Sequence, residues 1–184
     1  MGNITHKKIA SWIFAIVVIG LYIFTLSPLF PTDNGSIPSL STSSSTFTRT
    51  CFNDVLVTKV TDGDTIKAFI NGEEQTIRVI GIDTPEYTSK KECYGKNASE
   101  RAVELLKDKS VTICHDVVKP SLKDKYGRFL YHITVGGRSY SEIMVSEGLA
   151  EVNGYMEEFE NESKLKTLES HAKSNGTGLW GACK

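Results

Sequence analysis

The sequence lacks a marked excess of either charge. Its 184 residues include 21 Lys and Arg against 22 Asp and Glu, which gives a formal net charge of −1 at pH 7. The sequence pI is near 6.4. Proteins that hold nucleic acid through overall attraction carry a clear basic excess instead. The composition therefore excludes binding by overall charge, so any contact with a polyanion must come from a local group of residues.

Lysine and arginine are absent between Lys8 and Arg49. Inside this stretch, residues 9–26 are almost entirely apolar, and about 18 such residues are just enough for a helix that spans a bilayer. The positive-inside rule then places residues 1–8 in the cytoplasm, a single-pass anchor at 9–30 and the rest of the chain outside. A cleaved secretory signal is the alternative, and the remaining chain would then be secreted.

The segment that follows, residues 31–50, is rich in serine and threonine and poor in apolar residues. Such a composition buries too little surface to offset the entropy of ordering. We therefore expect a flexible linker at 31–50 and a folded domain at 51–184.

The cysteines lack the close pairing of a structural zinc site. No Cys-x-x-Cys occurs, and the four residues stand far apart, at Cys51, Cys93, Cys114 and Cys183. The spacing counts against zinc. An even number of cysteines outside the cytoplasm predicts two disulfides, with three connectivities among which the sequence does not choose. Buried free thiols remain an alternative.

The first half of the domain has the alternation of β-strands. Strands are predicted at 55–60, 65–70 and 74–82, and Asn71-Gly72 between the last two is a strong hairpin signal. These strands form a three-stranded meander.

The second half mixes helical and strand patterns. Apolar residues at helical spacing predict a helix at 97–107, and turn signals bound another from Ser141 to Gly148 and a third at 161–174. Further strands are predicted at 110–115 and 129–135. The fold class is mainly β with α (α+β), a five-stranded OB-fold barrel with about three helices, preceded by one transmembrane helix.

Acidic residues and one arginine gather around the predicted second and third strands. Asp64 follows a glycine that suggests a bulge or tight bend aiming its carboxylate inward. Arg78 lies in an otherwise apolar strand, where a charge is costly unless it meets a partner or lines a cavity. Beyond that strand, Asp83, Thr84 and Glu86 offer oxygen ligands without His or Cys, which favours Ca²⁺ or Mg²⁺ over zinc.

A basic loop follows later in the chain. Lys125 and Arg128, with two earlier lysines, surround Tyr126 in a stretch of ten residues. Cations interleaved with an aromatic ring suit a groove that follows a nucleic-acid backbone, although a solvated loop has a similar composition.

In combination and order, these motifs resemble the staphylococcal nuclease (thermonuclease) family. The resemblance extends over about residues 55–180 and is carried by residues 62–65, 77–86, 94–95, 124–128 and 147–150. The family implies an OB-fold barrel and Ca²⁺-dependent hydrolysis of DNA and RNA, preferably single-stranded, at the 5′ P–O bond to leave 3′-phosphate ends. It also implies one Ca²⁺ per domain, no obligate protein partner and a monomeric domain.

The resemblance also implies roles for individual residues. Asp64, Asp83 and the Thr84 carbonyl would hold Ca²⁺. Glu86 would be the general base for the attacking water, and the catalytic arginines Arg78 and Arg128 would bind the phosphate.

The substrate-binding positions are matched less completely. Lys125 and Tyr126 match positions that contact a nucleotide phosphate. Where the founding enzyme has two tyrosines after Gly-Leu-Ala, this chain offers only Tyr155 for stacking. A catalytically weak module of the same fold that binds nucleic acid or protein is the alternative to an enzyme, although the full set of acids and arginines favours the enzyme.

Overall fold

The computed structural model describes residues 49–118, 123–153 and 158–183. The predicted anchor at 9–30 and nearly all of the predicted linker at 31–50 lie outside these ranges. Within the described ranges, no helix has both the length and the apolar character needed to cross a bilayer.

Three antiparallel strands open the domain, as the sequence predicts. They are β1 (Cys51–Asp62), β2 (Thr65–Ile70) and β3 (Glu73–Val79). The turn between β2 and β3 places Asn71 at φ 53° and Gly72 at φ 86°. Two consecutive positive φ values are what a two-residue hairpin turn requires, and Asn-Gly tolerates them best.

The remaining elements complete a barrel with helices packed on it. In chain order they are β4 (Ile82–Asp83), α1 (Gly95–Leu106), β5 (Ser110–Cys114), β6 (Phe129–Val135), β7 (Arg138–Ser139), α2 (Tyr140–Ser146), β8 (Glu151–Val152), α3 (Glu162–Ser174) and α4 (Leu179–Ala182).

The barrel closes because the first and last of its five main strands pair. The strand order is β3-β2-β1-β5-β6, and β6 also pairs with β3 in parallel, with Arg78 opposite Leu130. Closure leaves no free edge among these strands. This five-stranded closed barrel, in a mixed α+β domain, is consistent with an OB-fold.

The core fills the barrel and the space beneath the helices. It consists mainly of β-branched and leucine side chains with almost no exposure, including Val57, Ile66, Ile77, Val79, Leu106, Ile113 and Ile133. Helix α1 packs against β1, and α2 packs against both β6 and α3. The packing of these apolar faces therefore fixes the positions of the strands and turns that carry the polar residues.

All four cysteines are paired. Cys51 bonds to Cys114 and Cys93 bonds to Cys183, which selects one of the three connectivities that the sequence allows. The two-disulfide prediction is confirmed, and free thiols and a zinc site on these cysteines are excluded.

Candidate active site

Asp64 lies in the turn between β1 and β2, and its side chain points into the domain. A register shift between Val60 and Asp62 bends β1 just before it, in accordance with the predicted bulge. The residue is only 7 % exposed. Its Oδ1 accepts a hydrogen bond from Thr65 Oγ1 at 2.8 Å, and its Oδ2 accepts one from the Thr84 backbone N–H at 3.1 Å. The Thr84 hydroxyl, 3.3 Å from Oδ2, is a third donor, so the buried carboxylate of Asp64 is hydrogen-bonded at both of its oxygens.

Arg78 is the buried cation that faces this carboxylate, and it is 8 % exposed. Its Nη1 donates to the carbonyl oxygens of Val79 at 3.0 Å and Ile82 at 2.6 Å. Its Nη2 lies 2.7 Å from Asp83 Oδ1 and 3.3 Å from Asp64 Oδ2. Of the two alternatives that the sequence left open for Arg78, a partner or a cavity, the structure shows partners, and they are two carboxylates.

Strand β4 places Asp83 beside Asp64. Ile82 and Asp83 pair with Val152 and Glu151 of β8, a contact that the sequence does not reveal. Desolvation raises the pKa of Asp83; Arg78 opposes that rise, and the negative charge of Asp64 adds to it. The pKa of Asp62 is raised by burial, with a contribution from Asp64. Negative charge is therefore concentrated here beyond what one arginine offsets.

Arg128 joins the same network from the residue before β6. A turn of the preceding loop directs both oxygens of Asp124 to Arg128: Oδ2 accepts from Nε at 2.7 Å and Oδ1 accepts from the backbone N–H at 3.0 Å. The Arg128 Nη1 donates to Thr65 Oγ1 at 3.2 Å, and Thr65 in turn donates to Asp64. One hydroxyl thus connects the two predicted phosphate-binding arginines through Asp64.

Lys125 and Tyr126 lie on the outer side of this turn. Tyr126 is 73 % exposed, the largest value among the exposed apolar side chains of the described chain. The Lys125 Nζ is 5.1 Å from the Tyr126 ring centroid and the Arg128 guanidinium carbon is 5.4 Å from it. An exposed ring flanked by two cations can stack on a base or sugar while the cations meet phosphates. The predicted stacking residue Tyr155 lies outside the described residues.

Glu86 stands slightly apart from this network. Its Oε2 accepts a hydrogen bond from Ser89 and lies 3.7 Å from Lys90 Nζ. The Ser89 hydrogen bond, followed by the Lys90 charge, lowers the pKa of Glu86, so the carboxylate is ionised at neutral pH. Among the residues that the structure describes, none of the other predicted catalytic or metal-binding groups hydrogen-bonds to its side chain.

The donor set suits a hard divalent cation. Asp64 and Asp83 approach the same Arg78 nitrogen, and their oxygens are the ligand type that Ca²⁺ and Mg²⁺ prefer. In the described ranges, no three His, Cys, Asp or Glu side chains converge as a metal cluster. The predicted Ca²⁺ ligands differ from such a cluster, because they are two carboxylates and the backbone carbonyl of Thr84.

Sequence reasoning missed several supporting residues. Only the structure shows that Thr65 connects Arg128 to Asp64. The pairing of Asp124 with Arg128 was also missed, although their four-residue spacing could have indicated it. The hydroxyl of Tyr140 donates to the Gly63 carbonyl at 2.5 Å and so holds the turn that carries Asp64. Nothing in the local sequence around Tyr140 indicates this contact.

Comparison with known proteins agrees with the geometry. The family described as staphylococcal nuclease homologue matches residues 76–182. The SPbeta prophage-derived endonuclease YokF of Bacillus subtilis is 38 % identical over 132 residues, which cover 69 % of this chain and 44 % of that protein. Endonuclease YncB of the same organism is 36 % identical over 132 residues, covering 69 % and 61 %. The chain thus spans about half the length of these two relatives.

A thermonuclease from Staphylococcus hyicus is 29 % identical over 177 residues, which cover 95 % of this chain and 98 % of that protein. The chain belongs to the staphylococcal nuclease family. The family and the names of these relatives support a nuclease function.

Proposed function

We propose that this protein is a Ca²⁺-dependent endonuclease that hydrolyses the 5′ P–O bond of DNA and RNA and leaves 3′-phosphate ends. The observation that carries the proposal is the network in which Asp64 connects Arg78 directly, and Arg128 through Thr65. Its two guanidinium groups can hold a phosphate that is losing one P–O bond. Relatives named endonuclease and thermonuclease support the nuclease part of this proposal.

The metal would be held by the side chains of Asp64 and Asp83 and by the Thr84 carbonyl. Ca²⁺ bound there would offset negative charge on the phosphate. Thr84 is fixed for this role because its backbone N–H and hydroxyl both donate to Asp64. The approach of Asp64 and Asp83 to the same Arg78 nitrogen supports a cation between them, since a cation there would offset the burial and the neighbouring negative charge that raise the pKa of Asp83.

The arginines would bind the phosphate oxygens that gain charge in the transition state. Planar guanidinium groups suit this role, because two parallel N–H donors match two phosphate oxygens. In the structure Arg78 Nη2 is engaged with Asp83 and Asp64. A cation on those carboxylates would compete for their oxygens and free Nη2 for the substrate.

Glu86 would accept the proton of the attacking water. It is ionised and partly exposed on the segment that follows Thr84, so water can reach it. Its contact with Ser89 must break when the carboxylate turns toward the reaction centre. Lys125 and Tyr126 would hold the neighbouring nucleotide, and Tyr155 would stack with a base of single-stranded substrate.

We also propose that the domain works outside the membrane as a monomer, tethered through the predicted anchor at 9–30 or secreted if that segment is cleaved. Disulfide formation supports this location, because such bonds persist mainly in oxidising compartments.

The test is cleavage of 5′-labelled single-stranded DNA and RNA by the oxidised, full-length protein in mild detergent, with Ca²⁺, with Mg²⁺ and with chelator. We expect Ca²⁺-dependent products that carry 3′-phosphates. Glu86→Gln should lower turnover by several orders of magnitude, roughly 10²–10⁴-fold for a general base. Glu100→Gln, on the exposed face of α1, is the matched control. Tight binding without cleavage by folded wild-type protein would favour a binding module instead.

A further inference from the structure

The backbone N–H and carbonyl of Glu86 both hydrogen-bond to Glu92. The Glu86 N–H donates to Glu92 Oε2 at 2.9 Å, and the Glu92 N–H donates to the Glu86 carbonyl at 2.8 Å. These reciprocal hydrogen bonds close residues 86–92 into a small loop. The orientation of Glu86 therefore depends on where Glu92 is fixed.

This loop has almost nothing buried to hold it in place. All seven residues from 87 to 93 are exposed. Segments with little buried surface open easily, because few contacts oppose local unfolding. Hydrogen bonds at the surface contribute little to such a segment, so another constraint is needed to fix Glu92.

Two constraints act immediately after Glu92. The Gly95 N–H donates to the Glu92 carbonyl at 3.0 Å, which joins the loop to the start of α1. A Cβ at Gly95 would lie 2.8 Å from the Glu86 carbonyl oxygen, so the helix start and the Glu86 backbone are in close contact. The second constraint is Cys93, which lies between Glu92 and Gly95 and is bonded to Cys183, 90 residues away in sequence.

The far end of this disulfide is itself anchored. Cys183 follows α4, and the Leu179 N–H at the start of that helix donates to the Gly148 carbonyl at 2.8 Å. A cavity of about 260 Å³ separates the disulfide from the metal-binding residues of the proposed site, and its lining includes Asp83, Thr84, Glu92, Cys93, Leu179 and Cys183. The disulfide thus forms one wall of the cavity beside Asp83 and Thr84.

We infer that the Cys93–Cys183 disulfide positions the Glu86 loop for catalysis, so that the rate of the reaction, and not only the stability of the fold, depends on this bond. The inference rests on the proposed nuclease function. Cys93 and Cys183 are positioning residues that act through Glu92 on Glu86. The other disulfide lies elsewhere, since Cys51 and Cys114 are direct partners in the β1–β5 ladder, where the strands already pair.

The second disulfide provides a matched control for the first. We would compare the full-length double variants Cys93→Ser/Cys183→Ser and Cys51→Ser/Cys114→Ser, at a temperature where circular dichroism shows each to be folded. In the first variant we expect kcat to fall by about 10- to 100-fold with a smaller change in KM, since a misplacement of about 1 Å costs up to about 10²-fold. The second should keep kcat within about threefold of wild type. Equal losses in both variants, or no loss in the first, would overturn the inference.

A measurement that needs no activity accompanies the kinetics. Amide hydrogen exchange at Glu86 and Glu92 should accelerate at least about tenfold in Cys93→Ser/Cys183→Ser and stay unchanged in Cys51→Ser/Cys114→Ser. Unchanged exchange in both would overturn the inference. An inactive wild-type protein would refute the proposed function alone, because the exchange experiment would still decide whether the disulfide fixes the loop.

If the first double variant does not fold, Glu92→Ala takes its place. It keeps both disulfides but removes the acceptor of the Glu86 N–H, so kcat should fall while the melting temperature stays close to wild type. Glu100→Ala, an exposed glutamate of α1 paired with Lys96, is its control. Wild-type kcat in Glu92→Ala would overturn the inference.

Discussion

Arg78→Lys tests the geometry of the site most directly, because it keeps the positive charge and removes the planar guanidinium group. The guanidinium acts at two places: Nη1 donates to two carbonyl oxygens, and Nη2 lies against Asp83 and Asp64. A lysine has one nitrogen with three donors, so it cannot occupy both places or present a planar fork to phosphate.

The expected magnitude follows from the donors that the lysine cannot replace. Loss of one donor that stabilises developing charge costs about 10²–10³ in kcat, or roughly 2.7–4 kcal/mol. The lysine ammonium can donate to one or both of the Val79 and Ile82 carbonyl oxygens, but it cannot also reach both carboxylates. A buried acceptor left without its donor costs about 1–3 kcal/mol, so the free energy of unfolding should fall by about that amount.

The assay is single-turnover cleavage of a labelled oligonucleotide with saturating Ca²⁺, together with urea unfolding of the same samples. Arg101→Lys is the matched control, since Arg101 also forms a two-point ion pair, with both Glu147 oxygens at 2.8 Å. It should lose some stability and keep its cleavage rate. Turnover of Arg78→Lys within about threefold of wild type would remove Arg78 from the mechanism.

Three further predictions concern the frame around the site. Tyr140→Phe leaves the buried Gly63 carbonyl without its donor and should lower the free energy of unfolding by about 1–3 kcal/mol, measured in urea. Gly148→Ala should cost more, roughly 2–4 kcal/mol in the same measurement, because φ is +64° and the new Cβ would lie 2.2 Å from the Thr177 carbonyl oxygen. Burial lowers the pKa of His115, so the unfolded chain binds the proton more tightly than the folded chain does. The free energy of unfolding should therefore fall as the pH drops through about 6.5. His115→Gln should lose less of this free energy than wild type between about pH 7 and about pH 5.

Elements governed by neighbours in sequence could be predicted well. The strand predicted at 65–70 coincides with β2 (Thr65–Ile70), because the Asn71-Gly72 turn fixes where it must end. The strand predicted at 55–60 is too short: β1 begins at Cys51. Asp54, with φ 53° at a register shift, interrupts the alternation that marks a strand.

The site could be predicted as a set of residue types but not as a network. Asp64 and Arg78 share a motif order that points to phosphate chemistry, yet their contact depends on strand register. Side-chain packing across three strands determines that Arg78 Nη2 meets both Asp64 and Asp83. It also determines that Thr65 connects Arg128 to Asp64. Pairings over long separations were also invisible, as for His132 Nε2, which lies 2.7 Å from Asp116 Oδ2.

The Cys51–Cys114 bond lies where the chain enters the barrel, because Cys51 is the first residue of β1. A pulling force applied between residues 49 and 183 would therefore cross to β5 through a covalent link before it loads the core. From Cys114 the shortest covalent route runs back along the chain to Cys93 and then crosses the second disulfide to Cys183. The oxidised domain could thus lengthen only by the segment between Cys93 and Cys114, which contains α1 and β5, and most of the barrel would be shielded from mechanical load.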